Sequence, residues 1–242
     1  QPVAMSPQAS QQVVTDLNER LEAWYRSMGQ RDFVYECSRN RRNSRDNYKR
    51  LCELMEALFD CNSRLMVVRV DLGYSKFDSP YIDYETARYH REQICHAFNT
   101  HPLFNHLLGY AWKLEWQPEK CFHYHFIFFF DGHQCQEDIT HGRLIGEMWT
   151  KAITGCQGHP WNCNLDAETT YHYNAMGCID YHDIEKQRGL FELAKYLTKV
   201  DEYAAMFVNG RTFQTSRKPS SQEGPRRGRP RSYQSTPLNF GL

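Results

Sequence analysis

The stretch Cys121–Asp131, CFHYHFIFFFD, is an aromatic run interrupted by two imidazoles, His123 and His125. Along a β-strand, successive side chains point to opposite faces. Phe122, Tyr124, Phe126, Phe128 and Phe130 then share one face, and His123, His125, Ile127 and Phe129 share the other. Two histidines side by side on a strand are candidate metal ligands. The run before it, LLGYAWKLEWQ (107–117), alternates in the same way, and Pro118–Lys120 joins the two. If those three residues close a hairpin, Glu115 lies across from His123 and Lys113 across from His125, with about 5 Å between facing Cβ atoms. Two imidazoles and one carboxylate then form part of a shell for a divalent cation, completed by water or a substrate oxygen. A two-residue loop would slip the register and turn Glu115 to the aromatic face.

A second pattern with chemical capacity is KYLTK. Tyr196 and Lys199 stand three apart in a predicted helix over 189–207, so both project on one side. A phenol with a pKa near 10 is a weak nucleophile until its phenolate is stabilised. A metal that polarises a phosphate, and a lysine that offsets negative charge, would make it a competent one. Taken alone, a Y-x-x-K pair is more often a core-bordering tyrosine beside a surface lysine. The buried stripe here is Leu190, Leu193, Ala194, Leu197 and Val200, and Tyr196 borders it. Tyr203 lies two turns further on, on nearly the same face. Cys156, His159 and Cys163, with Cys178 and His182 downstream, are a third cluster. Their spacing matches no standard zinc finger or knuckle, so an irregular loop is expected there in place of a structural zinc site.

These groups need elements to hold them. Residues 1–60 read as helical. RLMVVRVDLGY (64–74) is a strand with Met66, Val68, Val70 and Leu72 on one face and Val67, Arg69 and Asp71 on the other. Helices are predicted over 83–101, ended by Pro102, and over 139–154, ended by Gly155. Residues 155–176 read as irregular, and 175–183 contain a short strand. From residue 64 the order is β-α-β-β-α-β-α. The predicted fold class is α+β, with a central antiparallel sheet of the ferredoxin-like or RNA-recognition-motif-like type, helices on one face, and an added N-terminal helical segment. The predicted division is 1–60 helical, 61–208 the domain built on the sheet, and 209–242 a basic tail rich in Pro, Gly, Ser and Arg.

The 242 residues carry 29 Lys+Arg and 29 Asp+Glu, so net charge names no partner and only its distribution can. Nine cysteines without a regular framework favour reduced thiols and a cytosolic setting. No apolar run approaches the ~20 residues of a membrane span. QPVAMSPQASQQ lacks the pattern of a signal peptide, and its missing Met fits a piece of a longer chain.

The FHYHF strand, an acidic residue on its hairpin partner, and KYLTK on a later helix together resemble the HUH single-strand DNA endonucleases of rolling-circle replication initiators. RVDLGY, the WKLE strand, HYHFIFFFDG, YLTK and a terminal RGRPR are similar to the inovirus replication-initiator group of YagK/YfjJ-like proteins, over roughly residues 64–231, leaving 1–60 outside. The resemblance implies Mg²⁺ or Mn²⁺ held by His123, His125 and Glu115, with Tyr196 as nucleophile and Lys199 beside the phosphate. It implies a 5′-phosphotyrosine link to single-stranded origin DNA, a hairpin among the expected forms, in the cytoplasm of a bacterial host, with host replication proteins as further partners. Arg69 and Asp71 fall in a recurrent block of that group and are expected to contact DNA or support the site. Arg227 and Arg229, in PRRGRPRS, resemble an AT-hook; a solvated basic tail that contacts phosphates is the equal alternative. A non-catalytic prophage DNA-binding or regulatory protein on the same fold is the rival reading, and a compact HUH transposase a more distant one.

Overall fold

The computed structural model describes residues 7–170, 174–201, 204, 208 and 210–219, with backbone alone for 7–13, 24 and 27. The chain divides into two compact units, one ending at residue 46 and one beginning at residue 47. The first is helical, with α1 (Pro7–Met28) and the start of α2 (Arg31–Cys61) separated by a short turn at Gly29. Val14, Leu17, Leu21 and Tyr25 on α1 are exposed.

The second unit is built on one sheet. Its strands are β1 (Arg64–Tyr74), β2 (Leu107–Gln117), β3 (Cys121–Asp131), β4 (Gly158–Asn162), β5 (Gly177–Asp180) and β6 (Phe213–Thr215). The path is β4-β1-β3-β2-β6, every pairing is antiparallel, and β5 shares the outer edge of β1 with β4. Helices α3 (Tyr84–Thr100), α4 (Asp138–Met148), the short α5 (Ala167–Thr170) and α6 (Ile184–Thr198) complete it. The α+β class and the antiparallel sheet are as predicted.

Helices cover both faces of that sheet, which corrects the expectation of one helical face. The aromatic face of β3 packs with Met66, Val68, Val70, Trp112 and Leu114 under α3 and α4. The other face is apolar at one end, where Leu65, Val67, Ala111, Ile127 and Phe129 are buried with Leu51, Leu54, Met55 and Leu58 of α2 and with Leu190, Leu193, Ala194 and Leu197 of α6. Alternation along β3 puts Ile127 and Phe129 on the histidine face, and two such residues need a cover. The last turns of α2 are therefore part of the sheet unit, and the division falls at 46/47 rather than 60/61.

Two further boundaries move. GHPWN, read as irregular, is the edge strand β4; Pro160 is tolerated there because an edge leaves one side unpaired. Residues 213–215, read as part of the tail, are β6, paired with Ala111–Lys113. The outer edge of β1 is bridged between β4 and β5 by the next loop. Asn164 accepts from the Arg69 N–H (2.8 Å) and donates to the Val67 carbonyl (2.9 Å), and the Cys163 N–H donates to the Arg69 carbonyl (3.1 Å). These bonds satisfy the backbone where no strand is present and hold Arg69 in place.

Candidate metal centre

Three adjacent strands supply the polar end of the second face. β1 brings Arg69 and Asp71, β2 brings Lys113 and Glu115, and β3 brings His123 and His125. The register pairs Asp71 and Lys113 with His125, and Glu115 with His123, through a three-residue hairpin loop. That is the register read from the sequence. Cys121, just after the loop, takes the left-handed conformation (φ 52°) that lets a three-residue connection close.

One carboxylate oxygen faces both imidazoles. Glu115 Oε2 lies 3.6 Å from His123 Nε2 and 3.1 Å from His125 Nε2. The second contact is off the line of an N–H···O bond, so the buried His125 Nε2 has no hydrogen-bond partner. Two ligand atoms at about 2.1 Å from a common ion are separated by roughly 3.0 Å along an octahedral edge. The spacing fits atoms aimed at a shared point better than atoms aimed at one another. The outer nitrogens are tied as metal-bound histidines usually are: His123 Nδ1 meets the Cys121 carbonyl at 3.1 Å, and His125 Nδ1 meets Asp71 Oδ1 at 2.7 Å. Glu115, His123 and His125 are a possible metal-binding group, and among the described residues no second such group occurs. Two imidazoles and a carboxylate suit a divalent ion of intermediate hardness.

The electrostatics agree with the geometry. Burial alone would raise the Asp71 carboxyl, but the His125 hydrogen bond and charge, with the charge of Arg69, hold it at about 2. Glu115 is likewise pulled far below the usual carboxylate range, against burial, by the two histidines and Lys113. His125 is pushed up: burial opposes its charge, yet Asp71 and Glu115 together favour the imidazolium. The two carboxylates thus draw a positive charge to the place where a cation would sit.

Tyr196 projects from the end of α6 beside this cluster. Its ring lies 6.3 Å from the His125 ring, and the Arg69 guanidinium sits 5.3 Å from its centroid. The residue is 52% exposed. Burial, then the Glu115 carboxylate, raises the phenol, while Arg69 works against both. The structure brings six of the expected residues together: Glu115, His123, His125, Asp71, Arg69 and, at the rim, Tyr196. Arg69 is buried against Asp71 (3.3 Å), and Asp71 is engaged by His125. Both are held by contacts within the cluster, and both also line the cleft that opens from it.

Lys199 does not share a helix face with Tyr196. The described helix ends at Thr198, short of the predicted 207, and Lys199 turns to an extended conformation (ψ 144°) with an exposed side chain. The lysine inside the site is Lys113, for which the sequence offered a position but no role: its Nζ lies 2.6 Å from Glu115 Oε1. Cys156, His159 and Cys163 do not converge; Cys156 is exposed and Cys163 is buried beside Ala167 and Met176. All nine cysteines are free. Tyr203, Arg227 and Arg229 lie outside the described residues.

A cleft of about 1110 Å³ opens from the cluster. His123, Asp71, Arg69 and Tyr196 line one part, and His159 and Trp161 of β4 line another, with Lys76 and Lys120 also on its wall. Trp161 is 60% exposed. Sequence reasoning missed Trp161 because β4 was unrecognised. No helix among the described residues is long and apolar enough to cross a membrane.

No curated protein and no solved structure matches the chain. The family model of the YagK/YfjJ C-terminal domain matches residues 31–213, from the first residue of α2 to the first of β6, so the match takes in α2 as well as the sheet. The chain belongs to the YagK/YfjJ C-terminal domain family.

Proposed function

We propose that this protein is a cation-dependent endonuclease that nicks single-stranded origin DNA with Tyr196 and rejoins the strands, as an initiator of rolling-circle replication in a phage, prophage or plasmid. The observation that carries this reading is the half-exposed Tyr196 phenol beside a buried cluster of Glu115, His123 and His125 whose free atoms face one point. A structural cluster would have no need of an accessible nucleophile at its rim. When bound, Mg²⁺ or Mn²⁺ would neutralise a nonbridging oxygen of the scissile phosphate.

The chain's own residues do the rest. Glu115, His123 and His125 hold the cation position, and Asp71 fixes the His125 ring. Arg69 packs against the Tyr196 ring and sets its direction. The Tyr196 oxygen bonds to phosphorus and the P–O3′ bond breaks. The phenolic proton leaves to water at the open side, and the 3′ oxygen takes one from it. The phosphodiester becomes a phosphotyrosine ester, so a later attack by a 3′ hydroxyl reverses the reaction without another energy source. The cleft exceeds the roughly 300–1,000 Å³ of a small-molecule site, which suits a run of nucleotides. Exposed Trp161 offers a base-stacking surface, and Lys76, Lys120 and the exposed ammonium of Lys199 offer phosphate contacts.

The test is a covalent adduct. The full chain is incubated with Mn²⁺ and a library of single-stranded hairpin oligonucleotides, then denatured. An adduct that requires Mn²⁺, maps to Tyr196 by mass spectrometry and is lost in Tyr196→Phe is the expected result. DNA binding by the parent without any adduct across the library would favour the non-catalytic regulator. An undiminished adduct in Tyr196→Phe would show that the nucleophile is another residue.

A further inference from the structure

Lys113 is a buried charge that neither the metal group nor the nucleophile explains. It lies on β2, two residues before Glu115 on the same face and across from His125, and is 6% exposed. Its ammonium makes two contacts. One is Glu115 Oε1 at 2.6 Å; the other is a hydrogen bond donated to the Lys199 carbonyl at 3.0 Å. The opposite Glu115 oxygen, Oε2, is the one that faces both imidazoles. Lys199 is the residue just past α6, three after Tyr196. The same ammonium therefore touches the carboxylate of the metal group and the end of the helix that carries the nucleophile.

Both contacts have a physical reason to be there. The end of a helix presents carbonyls with partial negative charge, which favour a nearby cation. A carboxylate with one oxygen fixed by a charged hydrogen bond keeps its other oxygen in one direction. The strand itself is held on both sides, by β3 and by β6, where Lys113 pairs with Phe213 and the Leu114 N–H donates to the Thr212 carbonyl. Burying an ammonium is unfavourable before its contacts are counted, and an apolar side chain would fill the same volume without that cost.

We infer that Lys113 is a positioning residue that couples the cation site to the nucleophile. It turns Glu115 so that a single oxygen faces the cation position, and it ties the Tyr196 helix to that carboxylate. The distance between the two halves of the site is then set by one side chain. Lys113 touches no reacting atom. The inference rests on the reading of Tyr196 as nucleophile and of Glu115, His123 and His125 as cation ligands.

The test compares the parent with Lys113→Met, of similar length but uncharged, and Lys113→Arg. The readouts are the Mn²⁺ concentration that half-saturates the thermal shift, the adduct rate at saturating Mn²⁺, and oligonucleotide affinity in EDTA. In Lys113→Met the Mn²⁺ midpoint rises about 10–100-fold, as for other partners of metal ligands. The adduct rate falls by about 10²-fold even at saturation, the cost of a nucleophile misplaced by about an ångström. Affinity in EDTA is unchanged, and Lys113→Arg recovers most of the Mn²⁺ midpoint. By contrast, Lys199→Ala weakens oligonucleotide binding and leaves the Mn²⁺ midpoint where it was. A merely structural lysine would lower the melting temperature without moving the midpoint. A folded Lys113→Met with the parent's midpoint and rate overturns the inference. If Lys113→Met does not fold, Lys113→Gln and Lys113→Arg carry the same comparison. If the parent itself forms no adduct, the nuclease reading fails separately, and the midpoint still decides whether Lys113 sets Glu115.

Discussion

One face of the sheet has two ends, and they are built on opposite principles. At one end Leu65, Val67, Ala111, Ile127 and Phe129 are buried under α2 and α6. At the other, on the same three strands, stand Arg69, Asp71, Lys113, Glu115, His123 and His125, all buried but for the partly exposed Asp71. Moving two residues along β3, from His125 to Ile127, exchanges an imidazole for an alkyl side chain with almost the same burial. The apolar end gains roughly 1.5–3 kcal/mol for each large side chain it buries. The polar end must offset the cost of desolvating several charges, and such clusters are often no more stable than apolar replacements. The fold keeps the polar end although its own apolar end shows the cheaper solution. The difference teaches that the stabilising burial resides in one end; if the proposed function holds, chemistry resides in the other, and the two should fail separately.

The largest separation is expected in activity. Tyr196→Phe, or His123→Ala with His125→Ala, should reduce adduct formation by at least roughly 10³-fold, measured by denaturing gel with Mn²⁺. The tyrosine variant should leave the melting temperature close to the parent's. Next, Phe129→Ala at the apolar end should cost about 3–5 kcal/mol in denaturant unfolding. Its remaining folded fraction should keep the parent's Mn²⁺ midpoint. Third, Mn²⁺ at a hundred times its dissociation constant should stabilise the parent by about 2.7 kcal/mol, with no effect on the double histidine variant.

The smallest effect is one of pH, on the far face. His90 is buried against Tyr74 and Trp149, with Tyr74 Oη 3.0 Å from its Nδ1, and burial pushes its pKa down. A histidine that binds its proton less readily when folded gives stability that is present above the unfolded value of about 6.5 and is lost as pH falls below it. His125 carries the opposite sign: its raised pKa gives stability that is present below about 6.5 and fades as pH rises through the folded value. Melting curves at pH 7.5 and pH 5 should therefore show His90→Gln losing less on acidification than the parent. An equal loss in both would remove His90 from the explanation.

How far this division was legible in the sequence depends on the range of the interactions. The Glu115–His123–His125 group was legible because its geometry is local. Period-two alternation and a three-residue loop fix the register of a hairpin, and the register alone brings Glu115 to His123. The covering of the second face was not. Leu51, Leu54, Met55 and Leu58 announce a helix with one apolar stripe, but not which surface the stripe meets. Strand β4 was hidden by its Gly and Pro, and β6 by its length of three residues within a basic stretch.

The end of the last helix was misread for a tertiary reason. No glycine or proline follows Thr198 to mark a stop. Lys113 captures the Lys199 carbonyl, and Asp201 accepts from the Trp116 N–H at 3.3 Å, so the sheet draws the chain out of helical geometry. The displaced Lys199 and the engaged Lys113 are one event seen from two elements, and neither is visible in a spacing rule.

The most direct measurement is a crystal structure of the full chain grown with Mn²⁺ and recorded with anomalous data. The expected result is one strong anomalous peak within about 2.0–2.4 Å of Glu115 Oε2, His123 Nε2 and His125 Nε2, with Lys113 still on Glu115 Oε1 and the Tyr196 oxygen facing the peak. A peak held by other residues, or no peak at saturating Mn²⁺, would contradict it.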